Sequence, residues 1–129
     1  MDLKLNLVSF EQAKALKELG FPQRAITSIA WYSTNGTLND SSINAPLDLL
    51  ENESCAPTLE LVKSWLMSKF IFINVIYSNK RFHLEILNDK SMILYKNYNF
   101  DLYEDALSVG VNKAIEILKN NTTINTLNN

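Results

Sequence analysis

The stretch FINVIYSNKRFHLEILNDKSMILY, residues 72–95, predicts three consecutive antiparallel strands. A two-residue turn at Asn79-Lys80 would pair the apolar residues of the first two strands: Tyr77 with Phe82, Val75 with Leu84 and Ile73 with Ile86. These side chains then share one face, because side chains alternate between faces along a strand. A second turn at Asp89-Lys90 would place Ile93 opposite Ile86 and Tyr95 opposite Leu84. The stretch therefore predicts a three-stranded meander with one buried apolar face.

The reverse face of this meander is predicted to be mixed in character. Its polar residues are Asn74, Arg81, His83, Glu85 and Lys96. Its apolar residues are Phe72, Ile76, Leu87, Met92 and Leu94. Since a contiguous apolar patch is rarely left in water, we predict that these five apolar residues form an interface with a second copy of the chain or with another partner.

An amphipathic helix is predicted in SFEQAKALKELGF, residues 9–21. Ser9 and Gln12 have the spacing of a capping box, in which each side chain bonds the backbone of the other residue. Gly20 supplies the left-handed residue that commonly ends a helix. Both limits of this helix are therefore marked in the sequence.

Two further amphipathic helices are predicted on either side of the meander. The second helix opens in APTLELVKSWLMSKF, residues 56–70, with Pro57 in its first turn or Thr58 as its cap. The third helix begins at Asp101 and contains Gly110, whose small size would let it approach a sheet closely. The helices thus supply apolar stripes that a sheet can bury.

The remaining segments complete an α+β plan. Asn35-Gly36 predicts a type I′ hairpin, and residues 39–56 read as a long connection. The fold class is α+β, with an antiparallel β-hairpin and a three-stranded meander packed with three amphipathic helices. We expect a single domain over residues 1–119 and a disordered polar tail over residues 120–129.

Composition limits the classes of function. The chain has 129 residues, a net charge of −2 and a pI near 5.3, which disfavours general nucleic-acid binding because that requires a basic surface. The single cysteine, Cys55, cannot form an intramolecular disulfide, and no apolar run is long enough to span a bilayer. We therefore expect a cytoplasmic protein without membrane binding.

The residues that usually carry catalysis are scarce. One histidine and one cysteine cannot build a zinc site within a single chain, so no metal and no cofactor are predicted. A nucleophile activated by His83 would have to use Cys55 or a serine, and a structural role for His83 is favoured. Too few glycines are present for a phosphate-binding loop. No catalytic residue is assigned, although a site for Mg²⁺ made of carboxylates stays open.

A small set of residues could bind a ligand such as a nucleotide. Aromatic rings can stack on a base, and arginine can hold a phosphate. The candidate ligand-binding residues are Arg24, Trp31, Tyr32, Arg81 and His83. Each of these residues also has an ordinary structural explanation, in which the rings fill the core and the arginines lie in water.

Three segments carry a resemblance to known proteins. SFEQAKALKELGF, APTLELVKSWL and YEDALSVGVNKAIEIL resemble a widespread group of small, uncharacterised proteins carried by phages and prophages of gut bacteria. These segments coincide with the three predicted helices. The resemblance implies a phage origin and no mechanism. With that origin, the cytoplasm expected above is that of the host cell.

Two classes of function follow from the sequence. The first is a non-enzymatic, phage-encoded binding protein that forms a homo-oligomer and engages a host protein or sequesters a small host ligand such as a nucleotide signal. The second is a small hydrolase or nuclease that acts through carboxylates and Mg²⁺. A third hypothesis is that the protein is a minor component of the virion or of its assembly.

Overall fold

The computed structural model describes residues 6–23, 30–40 and 53–127. In chain order its elements are α1 (Phe10–Glu18), β1 (Ala30–Tyr32), β2 (Leu38–Asp40), β3 (Ser54–Cys55), α2 (Leu59–Met67), β4 (Phe72–Ser78), β5 (Arg81–Leu87), β6 (Ile93–Phe100) and α3 (Tyr103–Leu127). The strands form two antiparallel three-stranded sheets, which confirms the α+β class.

The chain divides into two compact units, Met1–Leu59 and Glu60–Asn129. The single domain expected over residues 1–119 stays a prediction. Within the described ranges, no helix combines the length and apolar character needed to cross a bilayer.

Both predicted limits of α1 are confirmed. The Ser9 hydroxyl accepts the Gln12 N–H at 3.1 Å, and the Gln12 side chain accepts the Ser9 N–H at 2.8 Å. At the other end Gly20 has a φ of +94°, and the Phe21 N–H donates to the Leu16 carbonyl at 2.9 Å. These are the bonds of a capping box and of a Schellman motif.

The first sheet has the order β2-β1-β3 and corrects two predictions. The hairpin between β1 and β2 is present, but Asn35 has no positive φ and only Gly36 is left-handed, at +85°. The loop therefore has more than two residues, and the type I′ prediction was wrong. Cys55, expected in an irregular connection, lies in β3 and pairs with Trp31 of β1. Residues 41–52 of that connection lie outside the described residues.

The register between β4 and β5 is the predicted one. Ile73 pairs with Ile86, and the ladder continues without a shift to Ser78 and Arg81. Asn79 and Lys80 have φ values of 54° and 64°, as a two-residue type I′ turn requires. The sheet therefore has the apolar face expected for these two strands.

The register between β5 and β6 differs from the prediction by two residues. Ile86 pairs with Tyr95, and Ile93 lies opposite Leu87 with a register shift between Ile86 and Leu87. The cause is a longer loop, in which the Asn88 side chain accepts the N–H groups of Lys90 and Met92 at 2.9 and 3.0 Å. Ile93 is consequently 53% exposed and does not join the buried face.

Helix α3 packs directly on the β4–β5 face. A Cβ atom built on Gly110 would lie 2.9 Å from Cγ2 of Ile73 and 2.9 Å from Cδ1 of Leu84, so the glycine permits the close approach that the sequence predicted. The buried residues of α3 recur at helical spacing: Ala106, Leu107, Gly110, Val111, Ala114 and Ile115. This face of the sheet is part of the core.

The ends of α3 differ from the prediction. The helix begins at Tyr103, and the Asp101 carboxylate accepts a hydrogen bond from Arg81. Its backbone is helical to Leu127, through most of the segment expected to be a disordered tail. Extending an existing helix costs far less than nucleating one, so weak helix formers can follow a packed helix.

Candidate functional site

The side of the β4–β5–β6 sheet opposite α3 is the candidate functional site, and we call it the open face. Alternation fixes its members along β4 and β5. On β6, whose ladder shifts register twice, Lys96 pairs with Glu85, and alternation from Lys96 places Leu94 and Tyr98 on the same face. From β4 the members are Phe72, Asn74, Ile76 and Ser78; from β5, Arg81, His83, Glu85 and Leu87; from β6, Leu94, Lys96 and Tyr98. Helix α3 packs on the other side, where Gly110 approaches Ile73 and Leu84.

A polar group occupies the middle of the open face. The rings of His83 and Tyr98 meet edge to face with centroids 5.4 Å apart, and the Lys96 ammonium lies 4.9 Å from the Tyr98 ring centre. Glu85 pairs with Lys96 across β5 and β6, so the two charges balance. The centre of the face therefore combines aromatic rings with one acidic and one lysine side chain.

Arg81 and His83, two of the predicted ligand-binding residues, lie on the same strand and face. The Arg81 guanidinium donates to the Asp101 carboxylate at 2.8 Å, and both side chains are exposed. The His83 Nε2 atom lies 2.9 Å from the Ser78 carbonyl oxygen. Each side chain thus has a polar partner within its own unit.

Apolar side chains flank this polar centre. Among the five predicted interface residues, Ile76 is 47% exposed, Met92 60% and Leu94 41%, while Phe72 and Leu87 are half-buried. Sequence reasoning missed Tyr98, which is half exposed on the same face. Tyr98 could have been found from the sequence, because it lies two and four residues after Lys96 and Leu94 and alternation places all three on one face.

The other predicted ligand-binding residues lie in the first unit. Tyr32 has a structural role, since its hydroxyl donates to the Val8 carbonyl at 2.7 Å and its ring lies against Phe10. Burial raises the pKa of Tyr32. Trp31, which precedes Tyr32 in β1, is half-buried and lies on the side of the sheet opposite to Tyr32. Arg24 lies outside the described residues.

A second polar contact joins α2 to α3. The Tyr103 hydroxyl donates to the Glu60 carboxylate at 2.6 Å. Burial, this hydrogen bond and the negative charges of Glu60 and Glu104 raise the pKa of Tyr103 to about 12. The contact holds the phenol in its neutral form, and no local sequence pattern signals it because the two residues are far apart in the chain.

No metal centre is assembled by the described residues, since none of them form a group of three or more His, Cys, Asp or Glu side chains. The Cys55 thiol is buried, at 2% exposure, and its Sγ atom lies 3.5 Å from the Pro22 carbonyl oxygen.

Comparisons with protein-family models, with curated proteins and with solved structures gave no match to this chain.

Proposed function

We propose that the chain is a non-enzymatic binding protein that works as a homo-oligomer and presents its open face to a protein partner. The resemblance of its helices to phage proteins favours a phage origin, with a host protein as that partner. The proposal depends above all on one observation: Ile76, Leu94 and Tyr98 stand between 41% and 50% exposed on a regular sheet surface.

The composition of the open face resembles that of protein interfaces. Such interfaces are enriched in aromatic residues and have few uncompensated charges. Tyr98 can supply large contact area with a polar tip, and Ile76 and Leu94 supply apolar surface on either side. An exposed apolar patch on an ordered sheet is a recognised mark of an interaction site.

A protein partner fits this face better than a nucleotide does. The one arginine on the face, Arg81, already binds a carboxylate, so a phosphate would compete with Asp101. Glu85 would also repel an anion near Lys96. A protein surface with apolar side chains and balanced charge meets neither obstacle.

Site-specific photo-cross-linking in the cells that naturally make the protein tests this proposal. A benzophenone amino acid replaces Leu94 on the open face, and in a matched control it replaces Leu102, which is 55% exposed outside the strands. We expect the Leu94 position to give a discrete adduct, identified by mass spectrometry, that the Leu102 position does not give.

The adduct must also depend on the face itself. Adding Ile76→Glu, which places a charge on β4 elsewhere on the same face, should abolish the adduct if the open face binds the partner. Equal adducts from both positions, or no adduct at Leu94, would overturn the proposal. Native mass spectrometry of the same protein reads any retained small molecule, and a stoichiometric nucleotide would favour sequestration of a ligand instead.

A further inference from the structure

The two edges of the β4–β5–β6 sheet are unequal. Natural sheets protect their edges with lysine, proline or irregular pairing, because an edge strand presents unpaired backbone groups to other chains. Strand β6 has such protection, since it carries Lys96 and joins β5 through two register shifts. Strand β4, FINVIYS, has no charged residue, no proline and no shift in its ladder. The β4 edge is thus the unprotected one.

The hairpin turn identifies which backbone groups β4 directs outward. A two-residue turn makes the flanking pair, Ser78 and Arg81, a hydrogen-bonded pair. The alternate residues Ile73, Val75 and Tyr77 then point their N–H and C=O groups away from β5. Among the described residues, β4 has β5 as its single strand neighbour.

The geometry points to a second copy of this chain as the occupant of that edge, with β4 pairing antiparallel to β4 about a two-fold axis at Val75. This inference rests on the homo-oligomer proposed above. In this register Val75 lies opposite itself and Ile73 lies opposite Tyr77, so all seven residues of β4 are paired. The three outward residues of each copy would form about six hydrogen bonds between the copies.

The sequence of β4 is compatible with pairing to itself. A strand without charge meets no like charge when it pairs with its own copy. Tyr77, whose side chain is 63% exposed, gains Ile73 of the second copy as a cross-strand neighbour. Since the axis is perpendicular to the sheet, both α3 helices lie on one side and the two open faces become one continuous surface.

Sedimentation of the full chain over a range of concentrations tests the pairing. We expect a reversible dimer, and we expect Tyr77→Pro to weaken it by at least about tenfold, because proline removes an outward N–H that β5 does not use. Tyr77→Ala is the matched control, which removes the ring and keeps the N–H, and it should weaken the dimer less. Circular dichroism checks that each variant folds.

A disulfide tests the register even if Tyr77→Pro does not fold. In a Cys55→Ser background, Val75→Cys should form an intermolecular disulfide on oxidation, because a hydrogen-bonded pair holds its Cα atoms about 5.5 Å apart. Asn99→Cys on the β6 edge is the control and should not cross-link.

Two results would overturn the inference in different ways. A dimer that Tyr77→Pro leaves intact and that Leu94→Glu dissociates would place the contact on the open face, so the homo-oligomer would stand without the β4 pairing. A monomer at every concentration, with no cross-link at position 75, would refute both the pairing and the homo-oligomer.

Discussion

Gly110 of α3 and Ile73 of β4 lie so close that a Cβ atom on the glycine would stand 2.9 Å from Cγ2 of the isoleucine. Real Cβ atoms do not approach other atoms this closely. The Cγ2 atom belongs to a β-branched side chain with little rotational freedom, so the clash cannot be relieved by a rotamer change alone. The distance between α3 and the sheet is therefore set by the absence of a side chain at position 110.

Replacing Gly110 by alanine should lower the stability of the protein, whereas the same replacement within a helix usually raises it. Gly→Ala normally stabilises a helix by about 1 kcal/mol, but here we expect Gly110→Ala to destabilise the protein by about 1 to 2 kcal/mol through overpacking. Denaturant unfolding measures the change, with Asn120→Ala at an exposed position of α3 as the control. A gain in stability for Gly110→Ala equal to that of the control would show that the sheet can move away.

The side chain of Asn88 should determine the stability of the β5–β6 loop. Asn88→Ala removes both hydrogen bonds to the loop N–H groups, and we expect a loss of about 1 to 2 kcal/mol. Asn88→Asp keeps an acceptor oxygen and should cost less. Hydrogen exchange of the β6 amides provides a local measurement beside denaturant unfolding. Equal stability of the two variants would contradict the role given to this side chain.

Phe70 should be replaceable with a gain in stability. It has a φ of 62° at the end of α2 and its side chain is 63% exposed, so it bears the cost of a left-handed residue with little burial in return. We expect Phe70→Gly to stabilise the protein by about 1 kcal/mol, measured by denaturant unfolding. Phe70→Ala keeps a Cβ atom and should give no such gain. An equal gain in stability for Phe70→Ala would contradict the explanation by backbone strain.

Tyr103 should make stability depend on pH above neutrality. Its phenol has a raised pKa of about 12 in the folded state against 10.0 in its unperturbed state, so its contribution is complete below pH 10.0 and is lost as the pH rises toward about 12. Because the contact is partly exposed, we expect the loss to be below about 1 kcal/mol.

Two variants isolate this effect from other groups that titrate at high pH. Tyr103→Phe should flatten the decline, measured as the difference in unfolding free energy between the variant and the parent chain. Glu60→Gln should lower the pKa of Tyr103, seen as earlier tyrosinate absorbance in an ultraviolet titration. An unchanged titration in Glu60→Gln would show that burial alone holds the phenol neutral.

The predictions that succeeded depend on neighbours in sequence. The capping box of Ser9 and the two-residue turn at Asn79-Lys80 involve residues only a few positions apart, and each constrains a register or a helix limit. Gly110 was predictable for a related reason, because a small residue within an apolar helical stripe favours close packing. Local geometry therefore explains why the α+β class could be predicted.

The predictions that failed involve side chains that bond elsewhere. Asp101 was expected to begin α3, but the helix begins at Tyr103, and Arg81, twenty positions earlier, binds the Asp101 carboxylate. Asn88 folds its amide into the following loop and shifts the register of β6 by two residues. The members of the open face on β4 and β5 could be predicted, and so could Tyr98 from its parity, whereas the exposure of Ile93 depended on that shift.

The unequal edges of the second sheet also limit how far an assembly can grow. If β4 pairs with β4 of a second copy about a two-fold axis, the unprotected edge of this sheet is occupied in both copies. The strands left outermost are then two copies of β6, each with its lysine and its irregular ladder. Pairing through the edges of this sheet would therefore stop at the dimer.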